Sequence, residues 1–280
     1  METGEMCRFR SRLMTLPKEC RIKIGEVSYQ KGMRATSRKN RVIEILKEYN
    51  IPFTEVGTGT NRFIVKYDGF ALKIALDREG VADNKQEWVM SEMLSPDVAT
   101  AYEISKGGHL LVATYAPAFT SYAEMTIYGP KIRKILERWG GRFLLGDVGF
   151  NRINYANWGL LAGRPVCIDY AYIFPASMDL FKCICGCKRM KFTDDTFSSY
   201  KCTECGREYE DRDLRAKISQ EDRLNLFNSI EGVIMHNPEE DHMVADKYLT
   251  KTINPDAPNH ELTIMECVRR SRGMSSYWSG

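Results

Sequence analysis

The clearest alternation of apolar and polar positions lies between residues 53 and 76. It runs through three short segments, at about 53–57, 62–67 and 69–76, which glycine-containing turns separate. Alternation with a period of two is typical of half-buried β-strands. We therefore predict three consecutive antiparallel strands, with a glycine loop at Gly57-Thr58-Gly59 between the first two.

Helical and strand patterns continue on both sides of these segments. Ser37 is a candidate N-cap for a helix that reaches about Tyr49, and Asp83 is a candidate N-cap for a helix that ends at Ser95-Pro96. Two apolar runs between residues 101 and 115 predict a hairpin around a glycine turn. This part of the chain is thus expected to form a five-stranded antiparallel sheet with one helix inserted after the third strand.

The second half of the chain carries shorter elements. The patterns predict a helix at about 126–139, a hairpin at 158–168, a cysteine-rich module from 181 to about 210, and helices at 219–235 and 260–270. Helices and antiparallel strands together make the expected fold class α+β.

The composition is that of an ordinary globular protein, since 43% of the 280 residues are hydrophobic and 28% are charged. No apolar run approaches the ~18 residues that a membrane-spanning helix needs, and the N-terminus lacks the apolar core of a signal peptide. We therefore expect a cytoplasmic protein with no membrane partner. Five of the nine cysteines cluster between Cys183 and Cys205, which in a reducing compartment favours metal binding over disulfides.

The N-terminal segment carries the positive charge of the chain. Residues 1–50 hold 12 Lys/Arg and 6 Asp/Glu, a net charge of +6, whereas the other 230 residues carry −3. Such a segment can meet an acidic partner or nucleic acid, but it has few aromatic side chains on which bases could stack. We expect residues 1–35 to form a basic, solvated and partly disordered arm. Nothing in its sequence besides the charge points to nucleic acid as a partner.

The glycine loop and the residues after it suit the transfer of a phosphoryl group from ATP. Gly57 and Gly59 let backbone N–H groups approach phosphates, although a plain hairpin turn also explains them. Lys73, a lone cation between apolar neighbours, can bind the phosphate oxygens. Glu87 on the inserted helix can pair with Lys73, and Glu92 on the same helix is the alternative.

Two aspartates further along the chain can complete such a site. Asp147, in the Gly146-Asp147 pair, is the candidate that positions the acceptor. Asp169 is a lone carboxylate at the end of an apolar strand, a costly position unless its charge meets a cation such as Mg²⁺. Asn157 is the candidate second magnesium ligand, and Asn151 is the alternative.

In order and spacing, these residues resemble the protein-kinase-like superfamily, and they look closest to the reduced kinase-like proteins of bacteriophages. The resemblance covers about residues 37–175. It implies a two-lobed fold with ATP between a sheet lobe and a reduced helical lobe, in a phage-encoded protein of the host cytoplasm. By the same analogy, the backbone of a hinge at Thr114-Tyr115-Ala116 binds adenine, with Thr114 and Ala116 as the contact positions.

The resemblance also divides the chain into five parts. The first three parts are the basic arm at 1–35, a kinase-like sheet lobe at 36–116, and a reduced helical lobe with the catalytic and metal loops at 117–180. The last two are a zinc ribbon at 181–211 and C-terminal helices with a tail at 212–280.

Several positions depart from the kinase pattern. Leu145-Gly146-Asp147 replaces the H-R-D triplet, and its Gly-Asp step also resembles aminoglycoside phosphotransferases. Asp169-Tyr170-Ala171 replaces D-F-G, and Arg62 stands where the loop would have its third glycine. Asn157 fits only with a five-residue insertion, because Arg152 occupies the position where the family has asparagine. No A-P-E motif follows.

The cysteine module predicts a structural zinc site. Cys202-Thr203-Glu204-Cys205-Gly206 has the spacing of a zinc knuckle, whose glycine lets backbone N–H groups turn toward the thiolates. Cys183 with Cys185 is the favoured first pair because it keeps Gly186 in place, while Cys187 competes with Cys185. Four thiolates hold Zn²⁺ tetrahedrally, and the module resembles a zinc ribbon.

Three functional hypotheses follow. The first is an ATP- and Mg²⁺-dependent phosphotransferase that acts on protein Ser/Thr or on itself. The second is a pseudokinase scaffold that binds a host or phage protein, or nucleic acid, through the zinc ribbon and the basic arm. The third is a small-molecule phosphotransferase, which the Gly-Asp step and the missing A-P-E motif favour.

Overall fold

The computed structural model of the chain describes residues 12–140, 142–145, 148, 154–175, 183–187, 190–193, 199–210 and 242–244. Within these residues the fold is α+β, as the sequence predicts. No helix among them is long and apolar enough to cross a membrane. The helices predicted at 219–235 and 260–270 lie outside the described residues.

The main sheet is antiparallel throughout. Its first five strands are β1 Thr54–Thr58, β2 Arg62–Tyr67, β3 Phe70–Ala75, β4 Ala101–Ser105 and β5 Leu110–Thr114. They lie in the order β1-β2-β3-β5-β4, which confirms the predicted five-stranded sheet. A sixth strand, His242–Val244, pairs with β4 at the edge, and the sequence pattern did not predict it.

A tight turn at Asp68-Gly69 sets the register between β2 and β3. Both turn residues have positive φ, 46° and 81°, which is the conformation that favours a two-residue hairpin turn. The pairing places Ile64 opposite Lys73 and Arg62 opposite Ala75. Residues two apart on a strand point to the same face, so the side chains of Arg62 and Lys73 project from the same face of the sheet.

Among the described residues, five α-helices accompany the sheet. They are α1 Lys18–Tyr29, α2 Ala35–Glu48, α3 Arg78–Leu94, α4 Tyr122–Ile127 and α5 Gly129–Trp139. The predicted helix at 126–139 is therefore two helices, α4 and α5.

The two predicted N-caps are wrong. No side chain caps α2, which begins two residues before Ser37. In α3 the cap is Asp77 rather than Asp83, because the Asp77 carboxylate accepts a hydrogen bond from the backbone N–H of Gly80 at 2.9 Å.

The N-terminal segment packs against the sheet. Its buried apolar side chains are Leu13, Leu16, Cys20, Ile24 and Val27. The buried carboxylate of Glu103 on β4 accepts hydrogen bonds from the backbone N–H groups of Arg12 and Leu13, at 2.6 and 3.0 Å. The expected solvated arm is therefore wrong for residues 12–28, because this segment buries apolar side chains against the sheet, whereas residues 29–35 are exposed or half-buried.

The rest of the described chain forms small antiparallel sheets. Their strands are β6 Phe143–Leu144, β7 Trp158–Leu161, β8 Arg164–Cys167, β9 Phe174–Pro175, β10 Met190–Phe192, β11 Ser199–Cys202 and β12 Glu208–Glu210. Strand β6 pairs with β9, β7 with β8 in the predicted hairpin, and β10, β11 and β12 form a three-stranded sheet.

Two hydrophobic cores lie on either side of the main sheet. In the first, α1 and α2 cover the face that carries Phe63 and Leu72. In the second, α3, α5 and the β7–β8 hairpin come together, and the rings of Trp139 and Trp158 stack with their centroids 6.0 Å apart. Lys73 projects away from the first core, toward α3 and the second core.

Candidate functional site

An ion pair between β3 and α3 forms the centre of the candidate site. Lys73 Nζ donates to the carboxylate of Glu87, and both residues are buried, 5% and 0% exposed. Lys73 Nζ also donates to the backbone carbonyl of Ile168 at 2.6 Å. One turn before Glu87, the amide of Asn84 donates to the Lys73 carbonyl at 3.2 Å, which holds helix and strand together. The helix carboxylate that contacts Lys73 is thus Glu87 and not Glu92.

A second cation, Arg62, lies in the same cluster. Its Nη2 donates to Glu87 Oε1 at 2.9 Å and to Asp169 Oδ1 at 2.7 Å. Burial disfavours the charged form of the guanidinium and so lowers its pKa. The two carboxylates outweigh this effect of burial and hold the pKa of Arg62 well above its ordinary value. Its Nη1 is buried and has no hydrogen-bond partner among the described residues.

Asp169 follows β8 and presents a half-exposed side chain to solvent, 47% accessible. Burial of part of the group raises its pKa, but the charges of Arg62 and Lys73 outweigh this and leave the pKa below its ordinary value. The next residue, Tyr170, donates its backbone N–H to Glu87 at 3.2 Å, and its ring lies 5.5 Å from Lys73 Nζ. Asp169 is therefore an ionised carboxylate that can still accept a cation from the solvent side.

Asn157 lies beside Asp169. It ends a short 3-10 turn, Tyr155–Asn157, and its backbone carbonyl accepts hydrogen bonds from the N–H groups of Ile168 and Asp169 at 2.8 and 3.4 Å. Its side chain is buried, and Nδ2 has no partner among the residues that the structure describes. The alternative ligand, Asn151, lies outside the described residues.

The two glycines of the loop face open space. A Cβ at Gly57 would meet nothing within 4 Å, and one at Gly59 would make only an ordinary 3.8 Å contact with the Arg62 carbonyl. The fold itself therefore does not require glycine at either position. Behind the loop the packing is tight, because a Cβ at Gly80 in the first turn of α3 would lie 2.2 Å from the Asn61 carbonyl oxygen.

The remaining predicted positions divide into two groups. Thr114 ends β5, Ala116 follows it, and both are buried; Thr114 Oγ1 donates to the hydroxyl of Tyr102 at 3.0 Å. Gly146 and Asp147 lie outside the described residues, so the structure gives no position for the predicted acceptor-positioning carboxylate.

A separate cluster of four thiols lies around the three-stranded sheet. The Sγ atoms of Cys183, Cys185, Cys202 and Cys205 all lie within 4.8 Å of one another. Two of these separations are 3.3 Å, between Cys183 and Cys205, and 3.6 Å, between Cys185 and Cys202. Tetrahedral zinc with bonds of about 2.3 Å places its sulfurs roughly 3.8 Å apart. The four cysteines can thus hold a metal ion, and their geometry is compatible with zinc.

The loop that carries Cys183 favours a bound metal. The backbone N–H of Cys185 and the hydroxyl of Tyr209 lower the pKa of Cys183, which favours its thiolate. The backbone N–H of Cys187 lowers the pKa of Cys185, but its hydrogen bond with Cys183 and its burial outweigh this and raise that pKa. Cys187 is not one of the four clustered thiols. Its carbonyl accepts a hydrogen bond from the Cys183 N–H at 2.9 Å and closes the loop, and its Sγ lies 3.6 Å from Thr203 Oγ1.

The cysteine cluster is joined to the rest of the structure through buried side chains. Phe174 on β9 packs with Cys183, Tyr200 and Cys202. The Tyr200 hydroxyl accepts a hydrogen bond from the Leu145 N–H at 3.2 Å. The three-stranded sheet is therefore held to two segments of the chain, one directly before Asp147 in sequence and the other shortly after Asp169.

No family model matches the chain, and no curated protein is significantly similar to it. The chemistry is therefore inferred from the cluster itself. Two buried cations, Lys73 and Arg62, balance two carboxylates, Glu87 and Asp169. Unpartnered N–H donors suit an anionic ligand, and the half-exposed carboxylate of Asp169 suits a cation.

The sequence pattern did not identify Arg62 as a site residue. It indicated only that Arg62 replaces the third glycine of the loop. The signal that could have found it is the Asp68-Gly69 turn, because a two-residue turn determines which positions of β2 and β3 are opposite. From that pairing, Arg62 shares a face with Lys73, and a guanidinium on that face must meet a carboxylate or a ligand.

Proposed function

We propose that the protein is an ATP- and Mg²⁺-dependent phosphotransferase with a protein-kinase-like fold, which phosphorylates Ser or Thr of a protein, itself included. The observation that carries this proposal is the buried Lys73–Glu87 pair beside the half-exposed Asp169. Phosphoryl transfer asks the protein mainly to position the reactants and to stabilise charge. A fixed lysine next to an ionised aspartate meets both demands.

Each residue of the cluster has one role in this proposal. Lys73, oriented by Glu87 and by the Ile168 carbonyl, binds phosphate oxygens of ATP. Asp169 and the amide oxygen of Asn157 would hold Mg²⁺, which neutralises negative charge on the phosphates when it is bound. Asp147 orients the hydroxyl of the acceptor, a role that its place in the sequence alone supports.

The glycine loop and the end of β5 bind the rest of the nucleotide in this proposal. The open space beside Gly57 and Gly59 leaves room for a phosphate to approach the loop backbone. The backbone near Thr114 and Ala116 binds adenine, by analogy with the hinge of the kinase-like superfamily.

The cysteine cluster is proposed to be a zinc ribbon with a structural role. Four thiolates fill the coordination of zinc, so no position is left open for catalysis. The ribbon stabilises the segments that carry Leu145 and Phe174, to which it is joined.

The test is phosphoryl transfer from ATP labelled at the γ-phosphate, in Mg²⁺, by the protein alone and with a bacterial lysate. We expect acid-stable label on Ser or Thr. Asp169→Asn should reduce transfer by roughly 100-fold or more, since it removes the charge that binds the metal. Asp68→Asn is the matched control, because Asp68 is exposed in a turn where its positive φ suits asparagine. Label that is equal in the Asp169→Asn variant contradicts the proposal.

One observation favours a second candidate, a nucleotide-binding pseudokinase that acts as a protein-binding scaffold. The Arg62 guanidinium already neutralises Asp169, so a metal ion has to compete with it for the carboxylate. In the same experiment, stabilisation of the protein by ATP without any transfer supports this candidate. Label found only on small metabolites instead supports a small-molecule phosphotransferase.

A further inference from the structure

The buried guanidinium of Arg62 has more donors than the surrounding protein uses. The side chain is 6% exposed, and a single nitrogen, Nη2, makes both ionic contacts, to Glu87 and to Asp169. The other terminal nitrogen, Nη1, is equally buried and has no partner among the described residues. Buried N–H groups without a partner are rare in folded proteins, and each requires an explanation such as a bound water, an ion or a ligand.

The position of Arg62 indicates what kind of ligand would meet Nη1. Arg62 begins β2 directly after the glycine loop, and its carbonyl accepts the Gly59 N–H at 2.9 Å. Its side chain projects from the same face as Lys73, and the two cations both contact Glu87. Arginine has donors only and cannot lose its charge, so the ligand must present acceptors and negative charge.

The known contacts of the cluster do not account for this arrangement. Glu87 accepts hydrogen bonds from Lys73, Arg62 and the Tyr170 N–H, so both of its oxygens have partners. A lysine at position 62 would be enough to neutralise these carboxylates, because two of the three ammonium donors could replace the two contacts of Nη2. What the guanidinium adds is a second nitrogen, Nη1, whose N–H donors have no partner among the described residues and can donate to phosphate oxygens.

We propose that Arg62 is a phosphate-binding residue, whose Nη2 holds Asp169 while Nη1 donates to a phosphate oxygen of a nucleoside triphosphate. The nucleotide in this statement rests on the proposed function, whereas the recognition of a polyphosphate does not. Lys73 and Arg62 then bind the phosphate chain from the same face of the sheet. Arg62 occupies the position of the third loop glycine, and its side chain makes a contact that a glycine could not make.

The test is a calorimetric titration of the full chain with ATP, with inorganic tripolyphosphate and with adenosine. The proteins compared are the wild type, Arg62→Gln, Arg62→Lys and the control Arg41→Gln, which changes an exposed arginine on α2. We expect Arg62→Gln to lose at least tenfold in affinity for ATP and for tripolyphosphate while its affinity for adenosine stays unchanged. Arg62→Lys should fold normally, because it keeps the charge, and should lose at least fivefold for tripolyphosphate.

The outcomes separate this inference from the proposed function. Wild-type affinity for ATP and tripolyphosphate in Arg62→Lys and Arg62→Gln overturns the role of Arg62 and leaves the proposed function standing. Binding of tripolyphosphate that depends on Arg62, without binding of ATP, supports the role of Arg62 and overturns the proposed function. A wild-type protein that binds neither ligand overturns both.

Discussion

At the scale of single residues, the candidate site is a set of buried charges that satisfy one another. Glu87 is completely buried, and a buried carboxylate is costly unless cations and hydrogen-bond donors surround it. Lys73, Arg62 and the Tyr170 N–H supply three such donors. The only carboxylate of this cluster that still reaches solvent is Asp169, so a further cation or ligand has to approach from its side.

The zinc ligands can be tested with two single substitutions. Cys185→Ser should lower the zinc content well below one ion per chain, because it removes one of the four clustered sulfurs. Cys187→Ser should retain one zinc, because Cys187 is outside the cluster. The measurement is elemental analysis of protein purified without added chelator. If Cys187→Ser loses zinc while Cys185→Ser retains it, then Cys187 is the ligand, and the assignment of Cys185 is contradicted.

A half-buried histidine predicts acid sensitivity. His109 lies between α1 and α3, with Nδ1 3.0 Å from the Ser28 hydroxyl. Burial, and then the charge of Lys85, lowers the pKa of His109 from 6.5 to about 4. Between these values the unfolded chain binds a proton that the folded chain does not, so stability falls as the pH drops from about 6.5 toward 4. Below about pH 4 both states are protonated.

The size of this effect follows from the two pKa values. Between about pH 7.5 and about pH 5, the titration of His109 should lower the free energy of unfolding by about 2 kcal/mol. His109→Asn keeps a polar atom near Ser28, but asparagine does not titrate. Over the same pH interval, the unfolding free energy of this variant should therefore fall by about 2 kcal/mol less than that of the wild type. The measurement is urea unfolding of both proteins at the two pH values. Equal pH dependence in the two proteins contradicts the role of His109.

At the scale of elements, sequence patterns predicted the strands better than the helices. Strands β1 to β3 and the β7–β8 hairpin were predicted because alternation and two-residue turns are local signals. Helix α1 was missed because its buried face includes Cys20, Gly25 and Ser28 as well as large apolar residues. The start of α3 was misplaced because Arg78-Glu79-Gly80 has the composition of a turn.

Close packing explains why glycine occupies position 80 in the first turn of α3, and a substitution can test this. Replacing a helical glycine by alanine usually stabilises a protein, but here the new Cβ would lie 2.2 Å from the Asn61 carbonyl oxygen. Gly80→Ala should therefore destabilise the protein by roughly 1–3 kcal/mol. Gly57→Ala is the matched control, with no atom near its Cβ and an expected change within about 0.5 kcal/mol. Thermal or denaturant unfolding measures both, and a stabilised Gly80→Ala contradicts the close packing.

At the scale of the whole molecule, the candidate site joins distant parts of the chain. The contact between Arg62 and Asp169 spans 107 residues. The sequence indicated Lys73, Glu87 and Asp169 because each is a charge in or beside an apolar element. It did not indicate Arg62 as a partner, since that contact depends on how the β7–β8 hairpin packs against the main sheet.

The attachment of the cysteine cluster is likewise a property of the whole molecule. Cysteine spacing predicted the four clustered thiols from local sequence alone. The hydrogen bond from Leu145 to Tyr200 and the packing of Phe174 link segments that the spacing does not relate. Through them, a metal ion at the cysteines would stabilise the chain on both sides of the predicted catalytic loop.

The cluster around Lys73 is proposed to bind the triphosphate of ATP. The most direct measurement is the equilibrium affinity of the wild type, Lys73→Met and Lys47→Met for ATP with Mg²⁺, where Lys47 is an exposed lysine on α2. We predict one binding site in the wild type, an unchanged affinity in Lys47→Met, and a loss of at least about tenfold, or 1.4 kcal/mol, in Lys73→Met. A wild-type protein that does not bind ATP, or a Lys73→Met variant that binds it equally well, would contradict the claim.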